Sequence, residues 1–169
     1  MAGSGELSTD SYRLALSGRY LNPGVTNLSS NRLRIVLEYA SNRVSEYSMH
    51  RVGVDIIEID RIDQALRRFG QRFLNRIYTE PELRICQEKP HALAVRFAAK
   101  EAVMKALGTG VKGISWKEIE ILAKPSGEPL VRLNGKAKIK AGSLGLSELA
   151  ISLSHSREYA VAFVVGEVK

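Results

Sequence analysis

Six side chains in this sequence have the types and settings that chemistry requires: Asp55, Arg96, Lys100, Glu101, Lys105 and His155. Asp55 interrupts the β-branched run Val52-Gly53-Val54-Asp55-Ile56-Ile57-Glu58-Ile59, where an aspartate is disfavoured. Arg96, Lys100, Glu101 and Lys105 break the apolar surface of an alanine-rich stretch ending at Gly108. Charge is costly to bury unless it is paired or bound, so each of these groups needs a partner. Two carboxylates on separate apolar elements, Asp55 and Glu101, can hold a hard cation. Magnesium takes one or two protein carboxylates and completes its shell with water and phosphate oxygens. A strand-end capping role fits Asp55 as well. Arg96 and Lys100 are four apart and repel by about 0.2–0.5 kcal/mol unless an anion lies between them. Glu101 and Lys105 are also four apart, in the favourable order, and an ion pair and a ligand site fit that spacing equally. His155, between Ser154 and Ser156, fits a structural histidine beside a turn, or a phosphate contact aided by hydroxyls.

The elements that must position these groups follow from periodicity. The β-branched run around Asp55 predicts a buried strand. Arg61 to Phe69 reads as a helix with Ile62, Leu66 and Phe69 on one side and Arg61, Arg67 and Arg68 free for a partner or for solvent. Phe73, Leu74, Ile77 and Tyr78 lead into Thr79-Glu80-Pro81-Glu82, whose cap, early proline and early acids start a short helix running to about Gln87. A long helix from Pro90 to Gly108 has apolar residues on nearly every side and is expected to be buried. Gly108-Thr109-Gly110 follows that helix instead of preceding one. It therefore reads as a helix stop with a left-handed glycine, and not as a phosphate-cradling loop. Trp116–Leu122 and Leu130–Leu133 predict strands around a Pro125–Pro129 turn. A lysine-rich helix over 135–144 and a hairpin of 150–155 with 159–165 complete the chain.

Composition narrows the class. The chain of 169 residues, 44% hydrophobic and 25% charged, is that of one ordinary globular domain with an appendage. No apolar run is long enough to span a bilayer. Cys86 is the only cysteine, which excludes an internal disulfide or a cysteine-built metal cluster. The net charge of +7 favours an anionic partner. Basic residues are not interleaved with aromatics and no nucleic-acid motif is present, so no nucleic-acid role is expected. Residues 1–28 are rich in Ser, Gly and Asn, whereas 30–47 carries Leu33, Val36, Leu37, Ala40, Val44 and Tyr47 at helical spacing. The first 50 residues contain no lysine. We therefore expect an extension over 1–48, loose at first and with an amphipathic helix at 30–47, ahead of a domain over 49–169.

Gly53–Ile59 with Arg61-Ile62, Arg96-Phe97-Ala98-Ala99-Lys100-Glu101-Ala102, Lys105-Ala106-Leu107-Gly108-Thr109-Gly110 and Ser152-Leu153-Ser154-His155-Ser156 resemble, in order and spacing, the holo-[acyl-carrier-protein] synthases. These are the short, bacterial-type 4′-phosphopantetheinyl transferases. The resemblance spans about Met49 to Val165 and leaves residues 1–48 without a counterpart.

The resemblance implies a cytoplasmic enzyme of fatty-acid biosynthesis that moves the 4′-phosphopantetheine arm of coenzyme A onto a serine of apo-acyl carrier protein. It implies an α+β fold in which an antiparallel sheet packs on a long central helix. That fold is half of the two-lobed superfamily members, and it assembles as a homotrimer with active sites between subunits. Asp55 and Glu101 match magnesium ligands, and with Lys105 they form the expected catalytic set. Lys105 matches a contact to coenzyme A phosphate, and Arg96 and Lys100 are assigned to phosphate binding or its support by charge and position. His155 matches a contact near the adenosine 3′-phosphate, and Gly108, Thr109 and Gly110 border the nucleotide. Arg61 matches a residue that docks the acidic carrier protein, and Arg67 and Arg68 extend that surface. The two-lobed enzymes carry a second acid where this chain has Ile57, so the general base stays open between Glu101 and a metal-held water. A module that binds coenzyme A or carrier protein without catalysis is the alternative.

Overall fold

The computed structural model describes residues 49–169; the extension and its expected helix over 30–47 lie outside the described residues. The element order is β1 (Met49–Glu58), α1 (Ile59–Phe69), α2 (Gln71–Ile77), α3 (Glu80–Cys86), α4 (Pro90–Leu107), β2 (Ile119–Ala123), β3 (Pro129–Leu133), α5 (Gly135–Ser143), β4 (Leu146–His155) and β5 (Tyr159–Val168). Short 3-10 turns, Gly110–Lys112 and Trp116–Glu118, join α4 to β2. The fold is α+β and antiparallel throughout, but the strands form two sheets: β1-β5-β4 and β2-β3.

The central helix α4 packs chiefly on β1 and β5. Leu93, Ala94, Ala98, Ala99, Ala102 and Val103 on it are fully buried, and no single face is polar. Such a helix is held by tertiary packing and not by an amphipathic stripe. Glycine sets the closeness of β1 to α4: a Cβ on Gly53 would overlap the Ala102 carbonyl oxygen and lie 2.9 Å from the Ala106 nitrogen. Strand alternation then turns Gly53, Asp55 and Ile57 toward α4 and leaves Val52, Val54 and Ile56 on the outer face, each more than half exposed.

Three sequence expectations change in detail. Phe73, Leu74 and Ile77 belong to a helix of their own, α2, which buries Leu74 and Ile77. Trp116–Glu118 is a 3-10 turn held by a Ser115/Glu118 capping box, so the strand begins at Ile119. That strand is buried along Ile119, Glu120 and Ile121, because β2 packs on α4 and α3, with the Ile121 amide donating to Glu82 and its carbonyl accepting from Arg96. The helix stop is as expected: Gly108 takes φ 68°, and the Thr109 amide reaches back to the Met104 carbonyl at 3.2 Å.

Candidate active site

Asp55, Glu101 and Lys105 come together where β1 crosses the last two turns of α4. Lys105 Nζ donates to Asp55 Oδ1 at 2.9 Å and to the Val54 carbonyl at 2.8 Å. Asp55 is 11% exposed while the Lys105 side chain is 53% exposed, so the pair lies at the surface with its carboxylate end sheltered. The intrahelical Glu101–Lys105 ion pair that the spacing allowed is not formed among the described residues; the ammonium goes across to β1 instead. Glu101 lies beside Asp55, and its pKa is raised above the ordinary glutamate value. Desolvation is the largest cause and the charge of Asp55 the next, with Lys105 and Arg61 pulling the other way. Two carboxylates held this close stabilise each other's protonated form unless a cation intervenes.

That electrostatic strain tests the fit of a metal. The donors are hard carboxylate oxygens, Asp55 already holds one cation, and the proton affinity of Glu101 is raised by the neighbour it would share an ion with. These residues fit a magnesium ion. No group of three or more His, Cys, Asp or Glu that could hold a metal occurs among the described residues, so the remaining ligands would come from water and substrate.

The other two charges of α4 point elsewhere. At about 100° per residue, the Arg96–Lys100 pair lies roughly 140° around the helix from the Glu101–Lys105 pair. Lys100 is fully buried, and its ammonium donates to Glu82 Oε2 at 2.8 Å, to the Trp116 carbonyl at 2.9 Å and to the Ile119 carbonyl. An ammonium has three N–H donors and all are used. The assignment of Lys100 to phosphate contact is therefore corrected: it is a buried clamp between α4, α3 and β2, and can only support a site indirectly. Arg96 is 9% exposed and donates Nε to the Ile121 carbonyl at 3.1 Å and Nη1 to the Ala92 carbonyl at 3.3 Å. It also lines a cavity of about 310 Å³ with Gly127, Pro129, Ile151, Ser152 and Leu153. Its guanidinium thus combines a tether to β2 with a place on a cavity wall.

His155 ends β4 at the opposite end of α4 from Gly108–Gly110. Its register partner Ala160 is buried under α4, and its ring stacks on His91 of the first turn of α4, centroids 5.2 Å apart at 18°. Positions 91 and 108 are separated by about 25 Å of helix at 1.5 Å per residue, so His155 and the glycine stop do not border one pocket within this chain. Arg61, Arg67 and Arg68 are all exposed on α1. Arg61 is near enough to Glu101 to lower its pKa, Arg67 pairs with Asp63 at 2.6 Å, and Arg68 lies over the Phe69 ring at 5.1 Å.

Three contributors escape the motif reading: Glu82, His91 and Arg51. Arg51 Nε caps the end of α4 on the Ala106 carbonyl at 2.6 Å. Its two-residue offset from Gly53 on β1 was the only available signal. Glu82 reads from sequence as an ordinary capping acid, and nothing in the sequence marks His91.

The fold is that of a known class. Residues 51–164 match the family model described as the 4′-phosphopantetheinyl transferase superfamily. The chain is 51% identical over 121 residues to the holo-[acyl-carrier-protein] synthase of Herpetosiphon aurantiacus, covering 68% of this chain and 95% of that one. It is 54% identical over 115 residues to the enzyme of the same name from Dehalococcoides mccartyi, covering 68% and 96%. The crystal structure of Helicobacter pylori holo-[acyl-carrier-protein] synthase in complex with coenzyme A superposes with a TM-score of 0.63 at 36% identity, covering 68% of this chain and 98% of that one. The chain belongs to this family, the holo-[acyl-carrier-protein] synthases of the 4′-phosphopantetheinyl transferase superfamily, and is an enzyme of that class.

Proposed function

We propose that this chain transfers the 4′-phosphopantetheine arm of coenzyme A to a serine of an apo-acyl carrier protein in a magnesium-dependent reaction. The observation that carries the reading is the contact of Asp55, Glu101 and Lys105 across β1 and α4, which a non-catalytic binding module has no need to keep. In the reaction, the serine oxygen forms a bond to the β-phosphorus of the coenzyme A pyrophosphate. The bond from that phosphorus to the bridging oxygen breaks, and adenosine 3′,5′-bisphosphate leaves. The serine proton is lost to a base. Asp55 and Glu101 would hold the magnesium ion, which neutralises charge on the pyrophosphate when bound. Lys105 is half exposed, and its flexible ammonium can swing from Asp55 to a phosphate oxygen. The base that takes the serine proton is Glu101 or a water held beside it. Arg96 and His155 are read as contacts to the nucleotide phosphates, Gly108, Thr109 and Gly110 as the nucleotide border, and Arg61, Arg67 and Arg68 as the surface that docks an acidic carrier protein.

We place the active site between subunits of a homotrimer. Two features support this. Within one chain, Asp55–Glu101–Lys105 and the Arg96 cavity occupy different sides of the buried α4, so no single pocket unites them. The outer face of the main sheet also exposes Val52 (51%), Val54 (51%), Ile56 (63%) and Phe163 (45%), an apolar strip of the kind that subunits cover. Residues 49–169 are read as the transferase, residues 1–48 as an appended segment, and the setting as cytoplasmic fatty-acid synthesis.

The test is incubation with apo-acyl carrier protein, coenzyme A and magnesium, followed by mass spectrometry for an added phosphopantetheine. No transfer, beside an active control transferase, would sink the reading. Glu101→Gln is expected to lower turnover by about 10²-fold or more while leaving the protein folded, with a melting temperature no lower than wild type. A mixture of Asp55→Asn and His155→Ala subunits should regain activity if the site is shared. Mixtures as inactive as their components would rule out a shared site.

A further inference from the structure

We infer that His91 is a positioning residue for the nucleotide phosphate of the coenzyme, so that His91 and His155 together form one anion subsite at the amino-terminal end of α4. The inference rests on the reading of His155 as a phosphate contact and adds to it a residue that no motif marks. The two rings are near-parallel, 18° apart, with centroids at 5.2 Å. Both side chains are exposed, and among the described residues neither has a hydrogen-bond partner. Two imidazoles stacked face to face cannot hydrogen-bond each other, because their N–H groups lie in the ring planes. Nor do their in-plane lone pairs converge readily on one metal ion. What parallel rings can share is an anion large enough to meet both edges, and phosphate, with several oxygens on one centre, is such an anion.

The setting agrees. His155, Leu153 and Ile151 alternate along β4 on the side turned to α4, about 6.8 Å per step. Leu153 and Ile151 continue into the cavity that Arg96 lines. Arg96 follows His91 by five residues, about 7.5 Å of helix rise. Five residues also turn the helix by about 140°, so the guanidinium lies on another side of α4 and the imidazole pair stands beside its cavity and not in it. Lys89 precedes the helix, and Arg157 and Glu158 follow β4 in the hairpin turn. On the far side of Pro90, a separate cleft carries Glu58, Asp60 and Asp63 with Arg157 and Glu158. An anion is therefore expected on the side of the pair turned away from those acids.

A histidine at the end of an edge strand turns freely about χ1 and χ2, and ordering it on binding carries an entropic cost. Stacking on His91 holds the ring beforehand. His91 acts through His155, and its effect should appear in affinity for a substrate that carries the phosphate and not in the chemical step.

The experiment compares coenzyme A with 3′-dephospho-coenzyme A as substrates for wild type, His91→Ala, His91→Phe and His155→Ala, with melting temperatures to confirm folding. His91→Ala is expected to raise KM for coenzyme A about two- to tenfold, with kcat little changed and KM for the dephospho form unaltered. His91→Phe keeps a flat ring for stacking and should recover most of the wild-type KM. An unchanged KM for coenzyme A in His91→Ala, an equal rise with both substrates, or a Phe variant no better than Ala would overturn the role of His91. If His155→Ala affects both substrates alike, the phosphate reading of His155 fails, and the inference falls with it.

Discussion

Two lysines five residues apart on one helix divide this molecule into a part that is closed and a part left open to a ligand. Lys100 is fully buried, with every N–H donor taken by Glu82 and two carbonyls. Lys105 is half exposed, held by one carboxylate and one carbonyl, and free to exchange either for a ligand. Glu82 and Asp55, their acidic partners, differ in the same way. Glu82 accepts from the Thr79 amide at 2.8 Å, the Thr79 hydroxyl at 3.1 Å, the Ile121 amide at 2.9 Å and Lys100. Asp55 faces a second carboxylate with a raised pKa. A satisfied charge is structure, whereas charge left in tension with its neighbours is available to a substrate. The helix carries both kinds because about 140° of rotation separates them.

The largest effect that would break this contrast lies on the closed side. Glu82→Ala should cost about 3–5 kcal/mol of stability, because it strands a buried ammonium and the Ile121 amide together. Burial already lowers the Lys100 pKa against the pull of Glu82, so the variant should shed that proton or unfold. Thermal or urea denaturation reads the loss. Lys105→Met should behave oppositely, with stability within about 0.5 kcal/mol of wild type, as for exposed ion pairs, but transfer activity largely abolished. Equal stability losses in the two variants would erase the distinction drawn here.

A smaller effect tests the seam between the two parts. Gly53→Ala forces a methyl group into the Ala102 carbonyl, so β1 must move away from α4. We expect about 1–3 kcal/mol of destabilisation, together with a fall in kcat, because Asp55 two residues further along moves with the strand. A variant that is destabilised yet fully active per folded molecule would show that the Asp55–Glu101 spacing tolerates the shift.

Sequence and structure agree where the signal is local. The buried α4, its glycine stop, the Thr79–Glu82 cap and the closing hairpin all follow from spacing within about one helical turn or one β-turn. The clamp at Lys100 was not legible because its partner lies on another helix 18 residues earlier, and a capping glutamate shows no sign of a second duty. By charge alone Lys100 and Lys105 are equivalent, and only long-range packing assigns one to the core. The division of the strands into two sheets had the same cause: a five-residue strand such as β2 carries no mark of which edge it will pair with. The candidate set Asp55, Glu101 and Lys105 was legible in three short motifs, and the structure adds the contact between β1 and α4 that brings these side chains together.

The finest test of the contrast is a difference in stability that opens as pH rises. The folded-state pKa of Glu101 is raised, first by desolvation and then by Asp55. A raised carboxyl pKa gives stability that is fully present below the unfolded value, near 4.5, and is lost as pH rises through the folded value. In chelator, therefore, wild type and Glu101→Gln should melt alike below about pH 4.5, and the variant should melt higher as pH climbs toward neutrality. Magnesium should then raise the wild-type melting temperature, because it binds the folded carboxylates and not the unfolded chain, and should raise that of Glu101→Gln much less. If Glu101 were one more satisfied structural charge, like Glu82, its replacement would lower the melting temperature at neutral pH and magnesium would not separate the two proteins. The direction of a shift of a few degrees thus decides on which side of the helix Glu101 belongs.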